Sequence, residues 1–245
     1  MQLHAFRWFV RLCSRFFSSL LSIEIEKVSG ATMPIVSFLN VSKSFQQQRI
    51  LENVSFDFER EHCYGLSGPN GSGKSVILGL MCGLMRPTSG TVTLDPSFLS
   101  GARTFPDRFG IAINGPAYLP GITALENLTR LASIRKRASE ADCAEALNSV
   151  GLDPVSKKYV RSFSLGMKQK LALAQAFIES PEVLLLDEPF NALDESSVVQ
   201  VTKLLLDKLA MGMTVVMTSH HSSEISSLCD TSLIVRNRSI EVKSA

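Results

Sequence analysis

The octapeptide GPNGSGKS at residues 68–75 most constrains what this chain can fold into, because it matches the phosphate-binding pattern G-x-x-x-x-G-K-S at every fixed position. A strand-like run precedes it and an apolar, helix-like run follows it, as the pattern requires. Backbone N–H groups of such a loop point at phosphate, and side chains at its glycines would obstruct that approach. A purely structural turn is the alternative. The residues predicted to bind nucleotide are Gly68, Pro69, Asn70, Gly71, Ser72, Gly73, Lys74, Ser75 and Val76.

Four side chains, from this loop and from a second motif, have specific predicted roles. Lys74 is expected to act in catalysis by neutralising the β and γ phosphates, and the Ser75 hydroxyl is expected to ligate Mg²⁺. The run VLLLDEP at residues 183–189 supplies two carboxylates beside the loop. Asp187, at the end of a buried strand, would hold Mg²⁺ through its water shell, and Glu188 would act as general base toward the attacking water. A chance acidic pair at a strand end is the alternative.

Short β-rich runs alternate with helical runs from Ile35 onward, which is typical of an α/β domain with a mainly parallel sheet. The runs IVSFLNVS and VSFDFER predict a small antiparallel β layer at the N-terminal end of this domain. Residues 115–161 break the alternation, so we expect a helical subdomain at about 115–165. Together with the two motifs, this organisation predicts an α/β fold with a P-loop NTPase (RecA-like) core over residues 33–245.

The run SFSLGMKQK at residues 162–170 distinguishes this chain from other P-loop proteins. It places Ser164 and Gly166 at the start of a helix, where free N–H groups and the helix dipole favour an anion. Ser164 would also cap that helix, which is compatible with binding phosphate. The run resembles the signature of ATP-binding-cassette (ABC) ATPases, usually L-S-G-G-Q, from which Leu165 and Met167 depart. In that family the signature of one subunit closes over ATP held by the other, so the resemblance implies that Ser164 and Gly166 bind ATP across a head-to-tail dimer.

The same resemblance covers nearly the whole chain from Ile35 onward and implies roles for further residues. Phe45 would stack on adenine, with core packing as the alternative. Asp194, in NALD, would lie at the dimer interface and would also cap the following helix. His220 would reach the γ-phosphate in a catalytic role, and the neighbouring His221 is the residue that could be confused with it.

Asn114 stands where the family usually has the glutamine that links Mg²⁺ to the membrane partner, and asparagine is one methylene shorter. Either Asn114 contacts the metal and nucleotide through a water molecule, or the link is weaker in this chain. The surrounding run PAYLPGITALENL, with the SLGMKQK form of the signature, resembles the branch that serves export of multidrug, bacitracin and lantibiotic type. Glu126 in this run is expected to belong to a contact with the partner.

Residues 1–32 form an N-terminal extension, expected to be either poorly ordered or an over-called start, or else an amphipathic segment at a membrane surface. Arg7, Arg11 and Arg15 interrupt its apolar residues, so its longest uncharged run falls well short of the ~20 residues that cross a bilayer. The net charge of +2 is too small to indicate a nucleic-acid partner. The five scattered cysteines indicate buried thiols in a reduced setting.

These features predict the ATP-binding and ATP-hydrolysing subunit of an ABC transporter, using ATP and Mg²⁺ and powering a separate transmembrane permease, in the direction of export. It would be cytoplasmic and peripheral to the inner face of the cell membrane, as a homodimer or as a heterodimer with another ABC ATPase. The alternative is a soluble, non-transport ABC ATPase acting as a scaffold or accessory factor. A P-loop phosphotransferase would leave the signature unexplained.

Overall fold

The computed structural model describes residues 33–100, 105–220 and 222–243. The chain divides into two units, Met1–Met33 and Pro34–Ala245, and the elements named below belong to the second. The predictions for residues 1–32 fall outside the described residues. The strands are β1 (Val36–Phe45), β2 (Gln48–Phe58), β3 (Cys63–Ser67), β4 (Ser89–Leu94), β5 (Phe109–Ala112), β6 (Val183–Leu186), β7 (Thr214–Thr218), β8 (Thr231–Arg236) and β9 (Ser239–Val242). The helices are α1 (Lys74–Met81), α2 (Ala124–Arg135), α3 (Glu140–Ser149), α4 (Leu165–Phe177), α5 (Glu195–Ala210) and α6 (Ser222–Leu228).

A six-stranded sheet with the order β5-β6-β7-β3-β8-β9 forms the centre of the second unit. Its neighbouring strands run parallel except β8 and β9, which run antiparallel. A smaller antiparallel sheet has the order β2-β1-β4. The predicted α/β class, the mainly parallel sheet and the N-terminal antiparallel layer are therefore confirmed.

The central strands are buried on both faces, which explains why they read as unbroken apolar runs rather than alternating ones. Within β6, Leu184 and Leu186 join a core cluster formed largely with the helices that follow β5. Val183 and Leu185 point to the opposite face and join a second cluster, formed with α1 and the antiparallel sheet. Packing on both faces fixes the ends of these strands, where the motif residues follow.

Three helices between β5 and β6 pack on one another: α2 contacts α3, and α4 contacts both. Side chains cap the first two strongly, because Thr123 and Ser139 each begin a reciprocal capping box at the N-terminus of α2 and α3. Glu126 is the acidic member of the first box, accepting hydrogen bonds from the backbone and side chain of Thr123. These bonds lower the pKa of Glu126, so this carboxylate has a local structural function rather than only the partner contact expected from sequence.

No helix among the described residues is long and apolar enough to cross a membrane. In the same part of the chain Cys63, Cys82, Cys143 and Cys229 are free thiols, and all but Cys229 are buried. Burial raises the pKa of the Cys82 and Cys143 thiols, which suits the predicted role of packing residues.

Candidate functional site

A cavity of about 350 Å³ opens at the carboxyl ends of β3 and β6, where the glycine-rich loop meets the acidic pair. Loops converge at this edge of an open α/β sheet, which is where such folds bind ligands. The structure brings most of the predicted site together here, and it adds Ile50, which the sequence analysis did not select. The lining of this phosphate-loop cavity is Phe45, Ile50, Asn70, Gly71, Gly73, Lys74, Ser75, Val76, Asp187 and Glu188.

The glycine-rich loop has a backbone that requires glycine at its first position. Gly68 has φ +143°, and a Cβ added there would lie 2.3 Å from the carbonyl oxygen of Val235. Pro69 and Ser72 lie beside the cavity, on an adjoining groove. Gly71, with φ +78°, has nothing within 4 Å of such a Cβ. The loop is therefore anchored at its base and open at the side where a phosphate would enter.

Lys74 is the first residue of α1, and its side chain is buried within the loop. Its Nζ donates to the carbonyl oxygens of Gly68 at 2.8 Å and Pro69 at 3.3 Å. Both partners are uncharged carbonyl groups, so these two bonds leave the positive charge of the ammonium available to attract an anion. Gly73 is the N-cap of α1 and has no side chain to accept a hydrogen bond from the first turn. The N–H groups of that turn therefore keep their partial positive charge at the start of the helix, where an anion can approach. The loop thus offers the electrostatics of a phosphate site.

Asp187 and Glu188 follow β6 at the floor of the cavity, and a buried threonine links them. Thr218, at the end of β7, donates its hydroxyl hydrogen to Asp187 Oδ1 at 2.8 Å and accepts the backbone N–H of Glu188 at 2.8 Å. Thr218 was not among the predicted site residues. Its position at the end of β7 indicates it, because β6 and β7 are adjacent parallel strands whose ends lie side by side.

His220 lies next to Glu188, with Nδ1 at 2.8 Å from Glu188 Oε2. It was predicted to reach a γ-phosphate, and the structure places it beside the predicted general base. The neighbour with which it could be confused, His221, lies outside the described residues.

Phe45 ends β1 on the wall of the cavity, with 44% of its surface exposed. That exposure contradicts the core-packing alternative, because a ring kept for packing would be buried. Lys43 Nζ lies 4.8 Å from the ring centroid. Stacking of Phe45 on adenine stays a prediction.

Asn114 does not line the cavity; it is exposed in the loop that follows β5. Its φ of +63° lies in the left-handed region, which asparagine adopts more readily than most other residues. The local backbone therefore gives a physical reason for asparagine in place of glutamine. The contact of Asn114 with Mg²⁺, direct or through a water molecule, stays a prediction.

Ser164 and Gly166 also lie outside the cavity, at the N-terminus of α4. Ser164 is exposed and caps the helix, its Oγ accepting the N–H of Met167 at 3.2 Å. A Cβ on Gly166 would lie 2.6 Å from the carbonyl oxygen of Ala192. A glycine is therefore needed here for packing within the chain, since it allows α4 to contact the loop after the acidic pair. This requirement is not apparent from the sequence.

We expect Gly166→Ala to push this loop away from α4, because backbone at 2.6 Å cannot accept a methyl group. Overpacking of this kind costs about 1–3 kcal/mol. The variant should unfold at lower urea concentration and hydrolyse ATP more slowly than the wild type. Gly121→Ala is the matched control, because a Cβ there meets nothing within 4 Å. Equal stability and activity of the two variants would contradict the proposed contact.

Asp194 caps α5, and its charged form is favoured by hydrogen bonds. Bonds from the side chain and backbone of Ser197, and then from Ser196, lower the pKa of Asp194 from 3.8 to about 2. Because the pKa is lower in the folded state, the ionised Asp194 stabilises the fold at pH values above its pKa in the unfolded chain. That stabilisation is lost as the pH falls toward 2.

We therefore expect Asp194→Asn to be less stable than wild type at neutral pH, with the difference in stability shrinking below about pH 4. Urea unfolding across this pH range measures it, and a pH-independent difference would refute it.

The donor set around Asp187 fits Mg²⁺ better than a transition metal. Among the residues with a described placement, there is no group of three or more His, Cys, Asp and Glu side chains that could hold a metal ion alone. Mg²⁺ does not need such a group, because it is usually bound by one or two carboxylates together with substrate phosphates and water. Asp187 and Ser75, which share the cavity wall, are the residues suited to this role.

A family model described as ABC transporter matches residues 51–191, which include both the glycine-rich loop and the acidic pair. The chain belongs to the ABC transporter family. The chain is therefore an ABC ATPase, and the resemblance drawn from the signature is confirmed at the level of the family.

Curated relatives agree over most of the chain. An uncharacterised ABC transporter ATP-binding protein of Bacillus subtilis is 41% identical over 84% of this chain and 95% of its own length. A lantibiotic transport ATP-binding protein of Streptococcus pyogenes is 35% identical over 78% of this chain and 82% of its own length. A bacitracin transport ATP-binding protein of Bacillus licheniformis is 33% identical over 80% of this chain and 65% of its own length.

Solved structures support the same fold. The ATP-binding subunit of an ABC transporter superposes with a TM-score of 0.74 at 26% identity, covering 86% of this chain and 90% of that one. A dimeric ATP-binding cassette in a post-hydrolysis state, bound to ADP and phosphate, gives 0.74 at 22% identity and covers 86% of this chain and 99% of that one. The predicted P-loop NTPase core is thereby confirmed for this ABC ATPase.

Proposed function

We propose that this ABC ATPase powers export through a membrane-spanning permease on a separate polypeptide, and that it lies in the cytoplasm against the inner face of the membrane. The names of its relatives support this, since they include lantibiotic and bacitracin transport ATP-binding proteins. The described residues include a cavity suited to phosphate and no helix that could span a membrane.

The observation that carries the working mechanism is the position of Ser164, exposed on a helix N-terminus and absent from the lining of its own cavity. A helix end that offers free N–H groups and a hydroxyl is suited to an anion presented by another molecule. We infer that two cassettes close over ATP, with Ser164 of one facing Lys74 of the other. The second cassette is another copy of this chain or a related ABC ATPase.

Each residue of the cavity would then have a separate role in ATP hydrolysis. Lys74 would exchange its two loop carbonyls for phosphate oxygens, and Asp187 with Ser75 would hold Mg²⁺, which neutralises phosphate charge. Glu188 would take a proton from the attacking water, and Thr218 would keep Asp187 and the Glu188 backbone in place. His220 would leave Glu188 to reach the γ-phosphate.

An apolar groove of about 320 Å³ is the surface proposed to receive the permease. It runs between the start of β5 and the C-terminal parts of α2 and α4. Phe105, Leu131 and Ile134 line it with exposures of 47%, 38% and 76%. Arg108 and Glu179 lie among the charged residues that border it. Exposed apolar residues gathered in one groove are typical of a protein interface.

Affinity purification of the full chain from solubilised membranes tests this proposal. A polytopic membrane protein should copurify in stoichiometric amount, and Ile134→Glu should release it while the purified cassette keeps its ATPase activity. Val155→Glu is the matched control, because Val155 is similarly exposed, at 74%, and lies outside the groove. Recovery of the chain as a dimer with no membrane protein would favour a non-transport ABC ATPase.

A further inference from the structure

Gln169 connects the signature helix α4 to the backbone of the acidic pair. It lies early in α4 and is buried, with 8% of its surface exposed. Its Nε2 donates to the carbonyl oxygens of Glu188 at 3.1 Å and Pro189 at 3.2 Å. A primary amide carries two N–H donors, so both bonds form together, and two carbonyl partners leave no doubt which end of the amide faces them.

Glu188 needs support of this kind because its φ is +51°, a left-handed conformation that costs a non-glycine residue energy. Thr218 holds its N–H and Gln169 holds its carbonyl. The peptide groups on both sides of its Cα are therefore fixed, and with them the direction of the side chain. This direction places the Glu188 carboxylate against His220 at the cavity floor.

The same helix begins at the signature. Ser164 caps α4 five positions before Gln169, a separation of about 7.5 Å along a helix axis. A helix segment this short moves as a rigid body, so a displacement at its N-terminus reaches Gln169. The Ser164 hydroxyl and the Gln169 amide thus belong to the same helix. The hydroxyl lies at the end proposed to face the partner, and the amide lies at the base of this chain's own cavity.

We propose that Gln169 is a positioning residue that transmits the contact of Ser164 with the partner-bound nucleotide to the backbone of Glu188 in the same chain. This inference rests on the proposed two-cassette mechanism. Each signature helix completes one ATP site and, through Gln169, orients the general base of the other. Hydrolysis in the two sites is coupled by this route.

Gln169→Met is the principal test, because methionine has a similar length and fills the same space without donating a hydrogen bond. In the purified cassette kcat should fall about tenfold, equivalent to ~1.4 kcal/mol, while KM for ATP stays within about twofold. Dimer formation on addition of ATP, which Ser164 serves, should be unchanged. An unchanged kcat, or loss of ATP-driven dimers, would overturn the inference.

Gln169→Glu provides a second test, a pH dependence of kcat that a merely structural role of Gln169 would not produce. An ionised glutamate cannot donate to a carbonyl, whereas a protonated one offers a single O–H. The kcat of this variant relative to wild type should rise as pH is lowered from about 8 to about 6, while the relative kcat of Gln169→Met stays flat. A flat ratio for both variants would contradict the positioning role.

Gln200→Met is the matched control, because Gln200 Nε2 also donates to two main-chain carbonyls, those of Asn148 and Ser149, but joins α5 to α3. It should keep wild-type kcat. Glu188→Gln is assayed in parallel to separate two failures. If Glu188→Gln is inactive and Gln169→Met is fully active, the positioning role is wrong and the two-cassette mechanism stands. If Glu188→Gln is fully active, Glu188 is not the general base, and the positioning role of Gln169 falls with that assignment.

Discussion

Replacing Glu188 by glutamine should abolish ATP turnover while prolonging the life of ATP-bound dimers. Glutamine keeps the size of the side chain and can still meet His220, but it cannot accept a proton from water. General-base catalysis contributes about 10²–10⁴-fold, so kcat should fall by at least ~10²-fold. ATP affinity should change little, because the groups proposed to bind the phosphates, Lys74 and the glycine-rich loop, are unchanged. Steady-state hydrolysis and size-exclusion chromatography with ATP measure the two effects.

Glu182→Gln is the control for this substitution. Glu182 immediately precedes β6, whereas Glu188 follows it, so both changes remove one carboxylate near the same strand. Glu182 forms an exposed ion pair with Arg108, and such pairs contribute little to stability. Its variant should retain wild-type turnover. Wild-type turnover in Glu188→Gln would show that another residue acts as the base.

Replacing Ser164 by arginine should abolish ATP-driven dimer formation. The bulky side chain would occupy the space at the N-terminus of α4 and remove the hydroxyl proposed to meet phosphate. Binding of ATP to the cassette itself should persist, because Ser164 does not line the phosphate-loop cavity. Analytical ultracentrifugation with and without ATP, beside a fluorescent-nucleotide titration, separates the two steps.

Loss of the helix cap is the competing explanation for such a result, and Ser139→Arg controls for it. Ser139 caps α3 with the same backbone conformation, and its side chain likewise accepts an N–H three residues on. Each substitution should cost about 1 kcal/mol of stability. Only Ser164→Arg should lose the dimer. Intact ATP-driven dimers in Ser164→Arg would refute the role of the signature.

Local sequence predicts the parts of the site that lie within one short segment. The glycine-rich loop, from Gly68 to Ser75, and the pair Asp187 and Glu188 follow directly from spacing, since each motif carries its own strand or helix context. Both reach the same cavity because parallel strands end at one edge of the sheet.

Residues that act across the fold were missed. Thr218 and Gln169 lie 30 and 19 positions from Glu188, so only the strand order and helix packing bring them together. Glu126 has a local role that its sequence also indicates, because T-x-x-E before an apolar run is the pattern of a capping box, and its expected partner contact stays a prediction. Strand β9 was not predicted, because its turn places Asn237 and Arg238 at positive φ without a glycine to mark it.

Mixing two inactive variants tests the shared ATP site most directly. Lys74→Ala removes the ammonium proposed to bind phosphate, and Ser164→Arg removes the signature serine, so two copies of either variant alone cannot assemble an intact site. In a mixed dimer, Lys74 of the Ser164→Arg chain faces the intact Ser164 of the Lys74→Ala chain, and one complete site is restored. We expect ATP hydrolysis to reappear on mixing, but only to a small fraction of the wild-type rate, because one of two sites is restored and its Glu188 belongs to the chain that has lost its signature serine. No recovery in a mixture shown to contain mixed dimers would contradict an ATP site shared between two chains.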